Sequence, residues 1–153
     1  MYSGGMNHQR TEVWECEHAI EMSALPEAIW SLFRDVASWP QWNAGVAKIE
    51  ISGPFTAGTC FTMTPTGQDA VTTRLVEVRE NVSFLDETRV GDLTVYVDHR
   101  IEVIASGRCR VVFSLEAFGP KGEEVGQAVS ADFPDVLKAL AAQAECVSCQ
   151  VGG

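Results

Sequence analysis

The stretch over residues 128–149 constrains this chain most. Phe133, Val136, Leu137, Leu140, Ala141, Ala144 and Val147 recur at helical spacing and form one apolar stripe with polar residues behind it. Asp132 stands where an N-cap belongs, Asp135 follows three residues on, and Pro134 falls in the first turn, where its missing N–H costs little. A helix of about twenty residues spans roughly 30 Å and must bury its stripe against a partner of that length. The strand-rich run 58–119 is the partner the chain offers. The expectation is a curved sheet gripping one long helix, with an apolar hollow between them wherever the helix does not fill the curve.

The rest of the chain reads in keeping with that frame. Residues 13–22 alternate, with Trp14, Cys16, His18, Ile20 and Met22 on one face and Glu15, Glu17 and Glu21 on the other, as in a strand with one wet side. Pro26 then opens a helix with Glu27 near its positive end; Ile29, Leu32, Phe33 and Val36 form its buried stripe and Trp30 flanks it. Pro40 limits this helix, so 38–43 is a turn or a second short helix. Six strands follow, over 46–52, 59–64, 70–79, 82–90, 93–105 and 108–118. They are separated by short turns such as Gly53-Pro54, Glu80-Asn81, Gly91-Asp92 and Ser106-Gly107. Short turns between long neighbours predict an antiparallel meander. The fold class is therefore α+β: a seven-stranded curved antiparallel sheet wrapped around a long C-terminal helix, with two short helices after strand 1. Residues 1–10 read as a flexible tail and 11–150 as a single domain.

Composition limits the function classes. The formal charge is -10, with 11 Lys and Arg against 21 Asp and Glu, so no basic stripe meets a nucleic acid or an anionic membrane. No apolar run approaches a membrane span, and the N-terminus has no apolar signal core. The five cysteines are odd in number and lie mostly inside regular elements, which suits reduced thiols and a cytoplasmic location. Cys146-x-x-Cys149 is a lone pair near a helix C-terminus, where the dipole has the wrong sign for an activated thiol and no second pair supplies zinc ligands. Gly-rich phosphate loops, a Ser-centred elbow and a His-Glu zinc motif are missing from the sequence, so no metal or cofactor is expected.

Several motifs together resemble the START-like or SRPBCC superfamily, in particular its polyketide cyclase/dehydrase-like branch. They are Ile20-x-Met22 running into Pro26-x-x-Ile29-Trp30-x-x-Phe33-x-Asp35, then Ser38-Trp39-Pro40-x-Trp42, then His99-Arg100 in a late strand, and the amphipathic C-terminal helix. The resemblance implies a helix-grip fold with a cavity for an apolar or aromatic small molecule. Members of the superfamily include ligand carriers and aromatase/cyclases. It has no universal catalytic motif, so the resemblance transfers no active site.

Strand parity nominates the candidate site. His99 shares a face with Val97 and Ile101, and His18 shares one with Trp14 and Ile20. Both histidines thus point to the apolar side, where an imidazole can orient a ligand oxygen or move a proton, or simply be a satisfied core residue. Arg74 shares parity with Val76 and Val78, and Asp86 with Phe84 and Thr88. If both face inward they form a buried pair or anchor a ligand carboxylate; outward placement as solvated residues is favoured for this stretch. Trp30, Trp42, Phe61, Met63, Phe84, Phe113, Leu137 and Leu140 complete the candidate wall, with ordinary core packing as the bland alternative for the tryptophans.

Two functions compete. One is binding of a small hydrophobic or aromatic ligand between sheet and C-terminal helix. The other is a polyketide cyclase/dehydratase-type enzyme with His99 as acid/base, helped by His18 or Arg74. A third, a protein-binding groove, rests only on the acidic surface and the grip shape. The expected partner is a small apolar or aromatic molecule, with no nucleic acid and no membrane insertion, and a homodimer is compatible with the sequence.

Overall fold

The computed structural model describes residues 13–152, with side chains described as far as residue 148. The tail expected at 1–10 lies outside the described residues. Strand β1 (Val13–Met22) leads into helix α1 (Pro26–Arg34) and a 3-10 turn (Val36–Gln41). The meander follows: β2 (Val46–Ile51), β3 (Cys60–Pro65), β4 (Val71–Arg79), β5 (Ser83–Val90), β6 (Leu93–Ala105) and β7 (Arg108–Phe118). Helices α2 (Gly122–Ser130) and α3 (Phe133–Gly152) end the chain. The seven strands form one antiparallel sheet in the order β1-β7-β6-β5-β4-β3-β2, so β1 crosses over to pair with the last strand. The long strands β6 and β7 form the centre of the grip.

Alternation holds along most strands because one face is buried. On β1, Trp14, Cys16, His18, Ile20 and Met22 turn inward while the glutamates face water. On β7, Cys109, Val111, Phe113, Leu115 and Ala117 are all buried. At Gly107 the backbone takes φ 71°, a region glycine enters without steric cost, and this lets β6 reverse tightly into β7. Helix α3 places Val136, Leu137, Leu140, Ala141 and Ala144 against the sheet and α1, with Leu140 and Ala144 fully buried. At about 25 cal/mol per Å2 of apolar surface, each such leucine contributes roughly 1.5–3 kcal/mol.

Two features depart from the expectation. The first is an additional helix, α2, which ends at Ser130; α3 then begins at Phe133, directly after Asp132, where the N-cap is expected. Ser130 Oγ donates to the Gly126 carbonyl at 2.8 Å, and the Asp132 carbonyl accepts the Val136 N–H at 2.9 Å in the first turn of α3. Helix α2 was hidden in the sequence by Gly122 and Gly126, which lower helix propensity. Gly126 is there for packing, since a Cβ at that position would run into the Trp14 indole. The second departure is a bulge in β4: the register with β5 slips between Leu75 and Glu77. Simple alternation across Val76 therefore assigns the wrong face to everything before it. Thr73 and Leu75 are the inward residues, and Arg74 is not.

Candidate functional site on the concave face

The register places the inward residues in cross-strand rows. One row runs Val78, Phe84, His99, Phe113, His18 across β4, β5, β6, β7 and β1. The next runs Leu75, Asp86, Val97, Leu115, Cys16. Beside these, Thr73 and Thr88 satisfy each other through their hydroxyls at 2.7 Å.

The row through His99 is aromatic. Its ring stacks on Phe84 with centroids 3.9 Å apart and planes at 9°, and meets Phe113 edge-on at 4.8 Å. His99 is only 9% exposed, and its Nδ1–H donates to the Phe84 carbonyl at 3.2 Å. That bond fixes the neutral tautomer and leaves Nε2 as an acceptor with no partner among the described residues. Burial pushes the imidazole down to about 3, opposed by the Phe84 bond, so the ring is neutral across the physiological range. His18 is half-buried and its ring meets Phe133, the first residue of α3, edge-on at 6.1 Å. Phe133 also packs on Phe113, so the start of α3 roofs both residues.

Asp86 is 8% exposed on the same face, between Leu75 and Val97, and makes no hydrogen bond or ion pair among the described residues. Burial, with a smaller contribution from the Asp98 charge, pushes its carboxyl up to about 8. A carboxylic acid held neutral at pH 7 in apolar surroundings is a hydrogen-bond donor as well as an acceptor. A third polar atom completes the set. Trp42 is 4% exposed, and its indole Nε1–H is buried without a partner among the described residues, whereas the Trp39 Nε1–H reaches the Phe33 carbonyl at 2.9 Å.

The aromatic wall gathers as expected at the α1 end. Trp30 contacts Phe33 and Phe84, and Phe61 meets Trp39 at 5.3 Å. Ile101, Leu137 and Leu140 are buried there, whereas Met63 and Val97 face the same side yet stay half-buried. The concave face is thus closely packed near α1 and keeps accessible apolar surface farther along. Phe55, in the loop between β2 and β3, was not foreseen, although an aromatic in a Gly-Pro turn is itself a signal. It packs on Trp30 at 5.8 Å and Phe84 at 5.1 Å, beside a depression of about 420 Å3 lined by Trp30, Arg34, Val78 and Glu80.

Arg74 stands apart from this site. Because of the β4 bulge it lies on the convex face, 48% exposed, with its guanidinium 3.2 Å from Glu87. Tyr96 donates to the same carboxylate at 2.8 Å and Arg89 approaches at 3.5 Å; these donors hold Glu87 below its ordinary value, the Tyr96 bond foremost. The Arg74–Asp86 pair does not form, and no ligand carboxylate on the concave face is within reach of Arg74. Cys146 is exposed, and the side chain of Cys149 lies outside the described residues. Among the described residues no helix is long and apolar enough to cross a membrane.

Comparison with known proteins bears on this geometry. The family model described as polyketide cyclase / dehydrase and lipid transport matches residues 13–145. Compared with curated proteins by sequence, the chain has no match. Among solved structures, it is similar to the Zhui aromatase/cyclase from a Streptomyces species, at TM-score 0.74 and 16% identity, covering 88% of this chain and 94% of that one. A START superfamily protein from Mycobacterium smegmatis aligns at TM-score 0.70 and 17% identity, covering 87% and 98%. Norcoclaurine synthase from Thalictrum flavum, in complex with dopamine and hydroxybenzaldehyde, aligns at TM-score 0.69 and 16% identity, covering 92% and 91%. At these identities the likeness is one of fold.

Proposed function

The chain belongs to the polyketide cyclase/dehydrase and lipid transport family, and on that premise we propose that it binds a small hydrophobic or aromatic molecule in a cavity between the concave face of the sheet and α3. One observation carries the reading. Asp86 and His99 are buried residues on the apolar concave face, and neither the Asp86 carboxyl nor Nε2 of His99 has a hydrogen-bond partner among the described residues; nearer α1, Nε1 of Trp42 is buried without one. Leaving such groups unpaired costs about 1–3 kcal/mol each, and a ligand with one or two polar atoms recovers part of it. The accessible surface on the half-buried Met63 and Val97 supports seating the apolar body of that ligand there.

The test is a thermal-shift and calorimetric panel of naphthalene-sized apolar compounds on the whole chain, run beside Val97→Trp. Saturable binding that raises the unfolding midpoint is expected, by roughly 2.7 kcal/mol at a hundredfold excess over Kd. The tryptophan fills the space and weakens binding at least roughly tenfold, equivalent to about 1.4 kcal/mol. No shift with any compound, or equal shifts in the variant, rejects the reading.

A second reading, a cyclase/dehydratase-type enzyme, is favoured by the likeness to an aromatase/cyclase fold together with the titratable groups on the concave face. In it the proton-transfer role moves from His99 to Asp86. An imidazole held at about 3 is a weak base, and it orients a substrate through Nε2, whereas a carboxyl near 8 can give and take a proton at neutral pH. Turnover of aromatic polyketide-like substrates that is lost in Asp86→Asn and reduced in His99→Ala supports it; unchanged turnover in both removes it.

A further inference from the structure

The cations of the sheet are all spent on its outer face. Arg74 and Arg89 pair with Glu87, Arg79 with Glu77, Arg100 with Glu17, Asp98 and Glu102, and Arg108 and Arg110 with Glu21. Lys48, Lys121 and Lys138 are exposed, as is Arg34 at the end of α1. Among the described residues, then, no cation stands among the inward residues of the strands; Arg34 lies apart at the end of α1, lining the depression beside Trp30 and Val78, and the one acidic side chain buried on the concave face is Asp86. Its row neighbours Leu75 and Val97 are apolar; Phe84 and Thr88 flank it along β5, and Thr73, Val95 and His99 lie diagonally across, Thr73 with its hydroxyl on that of Thr88 and His99 a neutral ring offering an acceptor. An unpaired carboxyl in such a place is best satisfied by a positive charge brought in from outside.

Resting on the ligand-binding reading above, we propose that the concave face takes an apolar or aromatic molecule carrying a primary amine, with the ammonium group paired to Asp86 and its apolar body along Val97 and Met63. The remaining ammonium hydrogens are within the chemistry of His99 Nε2, an acceptor one residue diagonal away, at a Cβ separation of about 7–8 Å for such neighbours. A carboxylate ligand seated along Val97 and Met63 meets the opposite: no guanidinium or ammonium among the inward strand residues to receive it, and a buried acid beside it. The protein's net charge of -10 also draws cations toward the molecule and repels anions. The proton balance is simple. Ammonium binding to the protonated acid releases one proton to solvent; a free amine takes the proton from Asp86, and both routes end in the same ion pair.

The experiment is calorimetric titration of the whole chain, at physiological ionic strength, with naphthylmethylamine, naphthylmethanol and naphthoate, which share one apolar body. The amine should bind roughly tenfold or more tighter than the alcohol, and the acid more weakly than both. Asp86→Asn should bring the amine to the level of the alcohol measured on the same variant, a pattern that net charge alone does not produce. Equal binding of amine and alcohol by the unaltered protein, or an amine preference that persists in Asp86→Asn, overturns the proposal and leaves the ligand-binding reading intact. If neither amine nor alcohol binds, the ligand-binding reading falls and takes this proposal with it. If the variant folds poorly, repeating the wild-type series at about 1 M salt decides: an amine preference that survives screening supports the pairing with Asp86, and one that vanishes overturns it.

Discussion

Asp86 and His99 are diagonal neighbours whose burial pushes them in opposite directions, and this makes stability depend on pH in a defined way. Between 3.8 and about 8 the unfolded chain has given up the Asp86 proton while the folded chain keeps it, so stability falls as pH rises through that window. Between about 3 and 6.5 the unfolded imidazole of His99 is charged while the folded one is neutral, so stability rises with pH there. The two slopes cancel from 3.8 to 6.5, and above 6.5 Asp86 acts alone up to about 8. Urea midpoints should therefore fall across that upper arm, at a slope approaching about 1.4 kcal/mol per pH unit, and Asp86→Asn should flatten it. A wild-type profile that is flat or rising there contradicts the placement of Asp86. Arg74→Ala, by contrast, removes a half-exposed ion pair on the far face. It should cost no more than about 1 kcal/mol and leave ligand affinity unchanged, as measured by calorimetry.

At the scale of elements, the grip depends on α3 and on how closely α2 approaches β1. Leu140 is fully buried on the sheet-facing side of α3, so Leu140→Ala should cost about 2–5 kcal/mol in denaturant unfolding. Gly126→Ala improves helix propensity yet forces a methyl group into the Trp14 ring, and it should destabilise by about 1–3 kcal/mol; a stabilised variant would mean that α2 stands off the sheet. These same elements show what was legible beforehand. The long strands, the turns and the apolar stripe of α3 are carried by local periodicity and read directly. Helix α2 did not, because Gly126 serves a contact with Trp14, more than a hundred residues away in sequence, at the expense of its own helix. Outward placement is favoured from the sequence for both Arg74 and Asp86, and it holds for Arg74 alone; Asp86 turns inward, and alternation has no means of registering the extra residue at Val76 that separates the two.

At the scale of the whole molecule, the acidic surface and the apolar concave face divide the work. Guanidinium groups and carboxylates neutralise one another along the convex side, and the concave side is left with aromatic rings and a few unpartnered polar atoms. The rows that join His99, Phe113 and His18, or Asp86 and Val97, come from pairing between strands, so parity along single strands could nominate those residues but could not say which of them meet. Phe133 roofing His18 and Phe113 depends on where α3 begins, a boundary that the N-cap position of Asp132 marks in the sequence; that the roof meets those two rings is not legible there. The most direct test of the account is chemical-shift mapping of the whole chain titrated with naphthylmethanol. The largest perturbations should fall on Asp86, Val97, His99, Phe113 and Leu137, around the concave face beneath α3. Perturbations confined to Arg74, Glu87 and Tyr96 on the convex face, or to Phe55, Arg34 and Glu80 around the depression at the α1 end, would contradict it.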